Sequence, residues 1–398
     1  MAGAITLLAL GLAVGVIRGQ GALIMLCSLL LVTSVGSTLW SRRALLALTY
    51  ERRFDPPRIF PGEEADYIVE ITNRKMLPLP WVRLEEHVPA ALLPARGEPM
   101  VSGDEGWQRR RSISLGWHER LVLRQRFTCR RRGSYVVGPT SIESGDPLGF
   151  FPTELRVPET QALLVYPRIA DLPPSPIVSR FPYGSTSARP PALEDPARFA
   201  GIRDYRAGDP MRWVDWKASA RRMKLQTRIF APTTLNSAIV ALNVQTMPFA
   251  WQGFDEERLD AVIGVAAALV RQSVQDRQPV GLAANSSGAG MEEFQVFLPP
   301  NRRPSQLEDV LGVLARLSPL PTLTFGAFLH RVAANFPFGA SLAVVTAFLD
   351  TEMVVTLGRL VDRGHAVSLF FVGKELPLSV DARIQTTVFA DVRFEPIA

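Results

Sequence analysis

The run SAIVALN (residues 237–243) carries small or apolar side chains at every position from Ala238 to Leu242. It shows no polar alternation, so the strand it forms must be covered on both faces. The chain beyond repeats this style. DEERLDAVIGVAAALVRQSVQD (255–276) has the period of a helix with acids in its first turn, and QPVGLAAN (278–285) is strand-like. Ser305 and Glu308 have the spacing of a capping box ahead of the helix LEDVLGVLARL (307–317). SLAVVTAF (341–348) is a second apolar strand, TEMVVTLGRLVDRG (351–364) a helix closed by Gly364, and HAVSLFFV (365–372) a further strand. Apolar strands alternating with amphipathic helices predict an α/β domain over 236–398 with a mostly parallel sheet. In such sheets ligands bind beyond the carboxyl ends of the strands. Asn243 and the residues after it occupy that place.

Upstream lies YRAGDPMRWVDWKASARR (205–222), where two tryptophans sit among acids and bases. Asp209-Pro210 has the chemistry of a helix start, because Asp accepts backbone N–H groups and Pro fits the first helical position. The expected helix runs to Arg222. Trp213 and Trp216 would share one broad face continued by Ala220, Arg212 could pair with Asp215, and Lys217 and Arg221 would repel at i,i+4. Arg203, Asp204, Tyr205, Arg206, Gly208, Asp209, Arg212, Asp215, Trp216, Lys217, Ser219 and Arg221 are read as an interaction and structural motif. In the segment 198–235 it would form a half-buried polar network locking the linker onto the α/β domain. On that reading either tryptophan cut to Ala would cost about 3 kcal/mol or more, given a buried ring.

Further upstream, DLPPSPIVSRFPYGSTSARPPALEDP (171–196) is too rich in proline for a central strand or helix, and 171–197 is expected to be an extended connector. Residues 41–170 alternate apolar and polar side chains between Gly, Pro and Asn turns, the pattern of an Ig-like β-sandwich or small barrel. Arg124, Arg126 and Arg130 alternate with apolar or small residues, which gives a strand one basic face and one buried face. That face fits a solvated surface near anionic lipid better than a nucleic-acid site, since no recognition motif accompanies it and no nucleic acid is expected. Residues 41–135 hold 18 Lys/Arg against 12 Asp/Glu, whereas the remainder holds 26 of each, so the net charge of +6 lies just after the apolar N-terminus.

That N-terminus, residues 1–40, contains two apolar stretches broken only at Arg18-Gly19-Gln20. The expectation is a two-helix transmembrane hairpin held in the lipid bilayer by residues 2–40, not a signal peptide, because no basic residue precedes the first stretch. Arg42, Arg43, Arg52 and Arg53 follow the second stretch, against Arg18 alone in the loop. The positive-inside rule then gives a multi-pass protein of the plasma or inner membrane whose soluble domains face the cytoplasm. Cys27 and Cys129 are too few for a disulfide framework or a cysteine zinc site, and four scattered His residues show no metal-binding spacing.

FAGIRDYRAGDPMRWVDWKASARR (199–222), together with NRKMLPLPWVRLEEHVP (73–89) and RRGSYVVGPTSIESGDPLGFF (131–151), resembles the domain of unknown function (DUF) 58 family. The resemblance covers essentially the whole chain. It implies a membrane-anchored scaffold working with a MoxR-type AAA+ ATPase in protein assembly or maturation, and a C-terminal von Willebrand factor A-like domain, with no reaction of its own. Von Willebrand A domains hold a divalent cation on Asp-x-Ser-x-Ser, but the matching positions here are Asn243, Gln245 and Met247, and Thr346-Ala347 stands where Ser/Thr-Asp is usual. Two amides and a thioether suit a hard cation poorly, so a degenerate site, no metal and no cofactor are expected, Asp350 being the one nearby carboxylate that could restore weak binding. The alternatives are a hydrolase using Asp209, Asp215 and Lys217, with Cys129 a weaker nucleophile, or a binder of anionic lipid or nucleic acid.

Overall fold

The structure is a computed structural model that describes residues 2–94, 100–103, 106–173, 194–206, 209–232, 237–288, 296–337 and 340–395. The chain divides into two compact units, 1–168 and 169–395. The first begins with a helical hairpin, α1 (Ala2–Ile17) and α2 (Gly21–Ala44). Gly19 closes its turn at φ 63°, and Gln20 N donates to Gly15 O at 3.0 Å. The helices approach closely where α1 has no side chain: a Cβ at Gly11 would lie 3.2 Å from Cys27 Sγ, and one at Gly15 3.2 Å from Ile24 Cγ1. At 24 residues α2 is about 36 Å long, enough to cross a hydrocarbon core of roughly 30 Å. The 16 residues of α1 reach only about 24 Å, so among the described residues one helix is long and apolar enough to span a membrane. Most of its surface is uncovered by protein: Met25, Leu26, Leu29 and Val32 are all exposed.

After α2 come twelve strands: β1 (Leu48–Asp55), β2 (Arg58–Ile59), β3 (Glu64–Asn73), β4 (Leu79–Val88), β5 (Leu93–Pro94) and β6 (Met100–Gly103), then β7 (Gly106–Leu115), β8 (Arg120–Thr128), β9 (Gly133–Val137), β10 (Thr140–Gly145), β11 (Pro152–Val157) and β12 (Gln161–Val165). They form sheets of order β1-β3-β8-β5, β11-β10-β4-β7-β6 and β2-β12-β9. Alternation of side chains builds the interior, and Phe54, Tyr67, Ile71, Leu84, Phe127 and Ile142 meet in one core. In β8 the expected two faces exist for Arg124 and Arg126, exposed together with Arg120 while Gln125 and Phe127 point inward, but Arg130 lies beyond the end of the strand. A glutamine in that inward register is explained by a buried ion pair, Glu86–Arg109, whose guanidinium donates to its side-chain oxygen.

The second unit opens at Ile169, and Ala170 N donates to Gly264 O at 3.1 Å while Ala170 bridges to Phe394, so the first unit ends at Arg168, slightly before the expected 170. Of the expected connector, 174–193 lie outside the described residues, and its end is not irregular: β13 (Glu194–Asp204) already starts there and pairs antiparallel with β14 (Gln226–Pro232). Between them lie a 3₁₀ turn, Met211–Trp213, and α3 (Trp216–Arg222).

The α/β part comprises β15 (Ala238–Leu242), α4 (Glu256–Gln275), β16 (Val280–Ala284), β17 (Ser286–Gly288), β18 (Val296–Asn301), α5 (Gln306–Arg316), β19 (Leu317–Pro321), α6 (Phe325–Val332), β20 (Ser341–Thr346), α7 (Thr351–Asp362), β21 (Ala366–Val372) and β22 (Gln385–Phe389). The main sheet has the order β18-β16-β15-β20-β21-β22, parallel except for the antiparallel edge β18. SAIVALN is its central strand, and Ala238 to Leu242 are all fully buried. Ile239 and Ala241 pack with Phe325, Phe328, Met353 and Leu357 of α6 and α7, while α4, backed by α5, packs on the sheet as well. One expected cap does not form: Ser305 has helical dihedrals and makes no capping bond, because its hydroxyl donates to Asp309 at 3.3 Å.

Candidate functional site

Segment 203–228 is a hairpin with a braced insertion. The expected single helix from Asp209 is not formed. Pro210 and Val214 are both extended (ψ 125° and 127°), so the chain makes one 3₁₀ turn, straightens, and starts α3 only at Trp216. Asp215 is the N-cap, its Oδ1 accepting from Ala218 N at 3.0 Å. What stops a continuous helix is β-pairing: Val214 bridges to Thr227, and Asp215 N donates to Gln226 O at 2.9 Å. Helix α3 ends at Met223, which takes the left-handed conformation with φ 52°.

The carboxylates brace this insertion. Arg203 grips Asp209 with two bonds of 2.7 Å, Arg206 N donates to the same carboxylate at 2.9 Å, and Thr227 Oγ1 lies 3.3 Å away. The Arg203 guanidinium foremost, then the Arg206 amide, hold the Asp209 carboxyl down at about 2. Asp215 is lowered as well, first by the Ala218 amide and then by Arg228, whose Nε is 3.0 Å from Oδ2. Arg228 therefore takes the place expected for Arg212, whose guanidinium instead lies 5.4 Å from the Trp213 ring centroid. Asp204 accepts from Gln226 Nε2 at 2.6 Å. Buried Ser219 donates to Asp215 O at 2.7 Å and accepts from Gln226 N at 2.9 Å, and Tyr205 N donates to Leu225 O at 2.9 Å. Two carboxylates held ionised by donors are weak general bases at neutral pH. Lys217 is exposed on α3, and Gly208 lies outside the described residues. Cys129 is buried in the sandwich core, its thiol donating to Ala91 O and Arg131 O.

With Asp209 and Asp215 engaged, the exposed surface is mostly apolar and basic, Asp204 being the one exposed acid. Trp216 is 63% exposed, and Met211, Met223 and Leu225 are exposed beside it in sequence. Arg206, Arg212, Lys217, Arg221, Arg222 and Lys224 are exposed too. The shared face expected of one helix is thus absent: Trp213 is half-buried and Trp216 is displayed, so the burial on which the larger stability cost depended does not hold for Trp216.

At the carboxyl end of the parallel sheet, Asn243 and Asn285 close on each other. Asn285 Nδ2 donates to Asn243 Oδ1 at 2.9 Å and to Leu323 O at 3.2 Å, Asn243 Nδ2 donates to Thr346 Oγ1 at 3.1 Å, and Asn285 Oδ1 accepts from Val244 N at 2.9 Å. Gln245 Nε2 turns to Met247 O at 3.0 Å, and Asp350 caps α7 by accepting from Met353 N at 2.7 Å. A divalent cation does not fit this donor set, because the amide oxygens of Asn243 and Asn285 already accept N–H bonds and the carboxylates of Asp255 and Asp350 are both engaged as helix caps. The loop that follows carries a feature the sequence reading passed over. Phe249 and Trp251 stack with centroids 5.7 Å apart and planes 13° apart, 57% and 81% exposed, with Phe254 exposed after them. Thr246 anchors the loop by accepting from Asp255 N at 2.9 Å. Three aromatics in FAWQGF (249–254), directly after a central strand, were the available signal.

Residues 201–375 match the family model described as "Protein of unknown function DUF58". The "Uncharacterized protein YeaD" of Bacillus subtilis is 21% identical over 243 residues, which cover 58% of this chain and 54% of that one, so the chain spans about half the length of this curated relative. Similar solved structures include a CARDB domain from Pyrococcus furiosus in complex with di-metal ions (TM-score 0.20, 18% identity, 30% of this chain and 91% of that one). Another is a cohesin module from a Clostridium perfringens family 33 glycoside hydrolase (TM-score 0.23, 14% identity, 30% and 96%).

Proposed function

We propose that this chain, a DUF58 family protein, is a membrane-anchored docking protein that binds a partner protein through the apolar, basic surface of segment 203–228 and the aromatic loop 249–254. The observation that carries this reading is the division of labour in the segment: Asp209 and Asp215 turn inward onto arginines and amides, while Trp216, Met211, Met223 and six cations are exposed, with Asp204 the one exposed acid, held by Gln226. Exposed Trp and Met beside arginine is the composition of protein-binding hot spots, and the charge selects an acidic partner. A MoxR-type AAA+ ATPase is the proposed partner. The α/β part is proposed to serve as a von Willebrand A-like domain that docks without a cation. Both α1 and α2 are proposed to enter the bilayer, with the bulk of the chain on the cytoplasmic side in keeping with Arg42, Arg43, Arg52 and Arg53. Tethering then raises the local concentration of a partner at the membrane.

Co-purification from solubilised membranes, with and without nucleotide, tests this. The expected result is an AAA+ ATPase that accompanies the full chain and is lost from Trp216→Ala or Trp251→Ala. No ATPase with the wild-type chain, or undiminished recovery with both variants, refutes the reading.

A further inference from the structure

Helix α2 is built into one end of the sandwich. Ser37 and Ser41 are buried: Ser41 Oγ lies 2.8 Å from Thr153 Oγ1 and within hydrogen-bonding distance of Phe151 O, and Ser37 faces the buried Asp146 carboxylate, which the Leu148 and Phe151 amides hold. Ala44 belongs to the sandwich core, and Lys75 Nζ donates to Ala44 O and, at 2.8 Å, to Leu46 O. Strand register shows what else emerges at this end. Leu48 is opposite Asn73, Thr72 opposite Arg120, Leu79 opposite Leu115 and Gly145 opposite Pro152. The α2–β1 junction (45–47) and the turns 74–78, 116–119 and 146–151 therefore leave the sandwich together. Three of these are stitched to one another: Arg74 N donates to Ala47 O at 3.0 Å, and His118 N to Lys75 O at 3.1 Å.

Each of the four carries large apolar side chains outward: Leu46, Met76, Trp117, Leu148 and Phe150 are between 60% and 77% exposed. The turns at the other end (56–63, 89–92 and 129–132) hold no exposed large apolar side chain among the described residues. Arg42, Arg43 and Arg74 are exposed at the α2 end. The level is also fixed. If roughly 20 residues of α2 fill the hydrocarbon core, Ser37 and Ser41 lie at its boundary, and the hydrogen bonds of Ser41 to Phe151 and Thr153 hold the end of turn 146–151 at the same height.

We propose that the α2 end of the sandwich is a second membrane contact, with Leu46, Met76, Trp117, Leu148 and Phe150 in the headgroup–acyl boundary of the bilayer that α2 crosses and the three arginines on its anionic headgroups. Trp and Phe favour that boundary, and apolar side chains flanked by cations hold interfacial elements there. The sandwich then stands flush on the membrane instead of hanging from a tether. This rests on reading α2 as a membrane span.

The test uses the full chain in lipid nanodiscs containing anionic phosphatidylglycerol, with both native cysteines replaced by Ala. A solvatochromic dye is attached to Trp117→Cys or Phe150→Cys, with Met76→Cys and Leu148→Cys as second sites. Val32→Cys on α2 reports the span itself, and Arg130→Cys the far end. The expected result is a blue-shifted emission quenched by nitroxide-bearing lipids at the turn sites and at Val32→Cys, with neither at Arg130→Cys. Lipid quenching at Val32→Cys but none at the turn sites overturns the second contact and leaves the span intact. A blue shift at the turn sites without lipid quenching overturns it in favour of a protein covering. No lipid quenching at Val32→Cys removes the span and this inference with it.

Discussion

Two ionic networks in this chain use the same residue types for different ends. In the sandwich, Glu86 and Arg109 have side chains each 3% exposed. Glu86 Oε1 accepts from Tyr67 OH at 2.9 Å and Thr140 at 3.3 Å, and also from Tyr50, while Arg109 lies 5.1 Å from the Tyr67 ring centroid. Burial alone would raise the Glu86 carboxyl, yet Arg109 and the tyrosine hydroxyls hold it below its usual range; burial and Glu86 together push Tyr50 up to about 12. In segment 203–228 the arginines are 39% and 50% exposed and their acids 15% and 16%. Water screens these pairs, so their worth lies in where they put the backbone. The buried network holds a core together, whereas the half-exposed one shapes a displayed surface.

The largest expected effect breaks the buried network. Arg109→Met strips Glu86 of its closest counter-charge and leaves it only Arg52, 3.8 Å away, which should cost about 3 kcal/mol, read as a lower denaturant midpoint of the detergent-solubilised full chain. A smaller effect comes from Asp215→Ala, which removes the α3 cap and the Arg228 pair: about 1 kcal/mol. If the two variants cost the same, the contrast between the regions is false.

Acid sharpens the contrast without a mutation. Asp209 and Asp215 have folded-state values below their unfolded ones, so they add stability that is present above an unfolded value of about 4 and lost as pH falls through the folded value, about 2 for Asp209. Thermal melts between pH 5 and pH 2.5 should fall with acid, and Asp209→Asn should flatten that fall. A slope unchanged in the variant would show that the Arg203 grip does not outlast solvent exposure.

How legible this was in the sequence follows from the range of the forces. The parallel sheet was visible because Ala238–Leu242 and Ser341–Thr346 are wholly apolar or small, and burial on two faces leaves no other option. The alternation in β8 and the apolar helices were visible for the same local reason. The insertion in segment 203–228 was not, because Asp209-Pro210 satisfies the local rule for a helix start while the deciding contacts come from β14, some twenty residues on: Thr227 against Val214, and Gln226 against Asp215. Arg203 and Arg228, which claim the two acids, lie outside the expected helix, so helical spacing could not reveal them. The asparagine pair was half visible: Asn243 was flagged by position, whereas Asn285 needed the neighbouring strand.

Trp216 gives the smallest expected effect on stability and the most telling one. Read as helix partner to Trp213, its ring would be buried and its loss would cost about 3 kcal/mol or more. With the chain broken at Val214, the ring stands 63% exposed at the first position of α3, where truncation leaves no cavity. Trp216→Ala should therefore shift stability by no more than about 0.5 kcal/mol in either direction, while Trp213→Ala, half-buried under Arg212, falls between it and Asp215→Ala. Far-UV circular dichroism and the denaturation midpoint check the first part, and recovery of the partner in co-purification checks the second. A Trp216→Ala chain that melts with the wild type but no longer brings down its partner separates display from support within one hairpin. One that unfolds early would mean the ring is covered in the free protein, and that segment 203–228 is held together from outside as the sandwich is held from within.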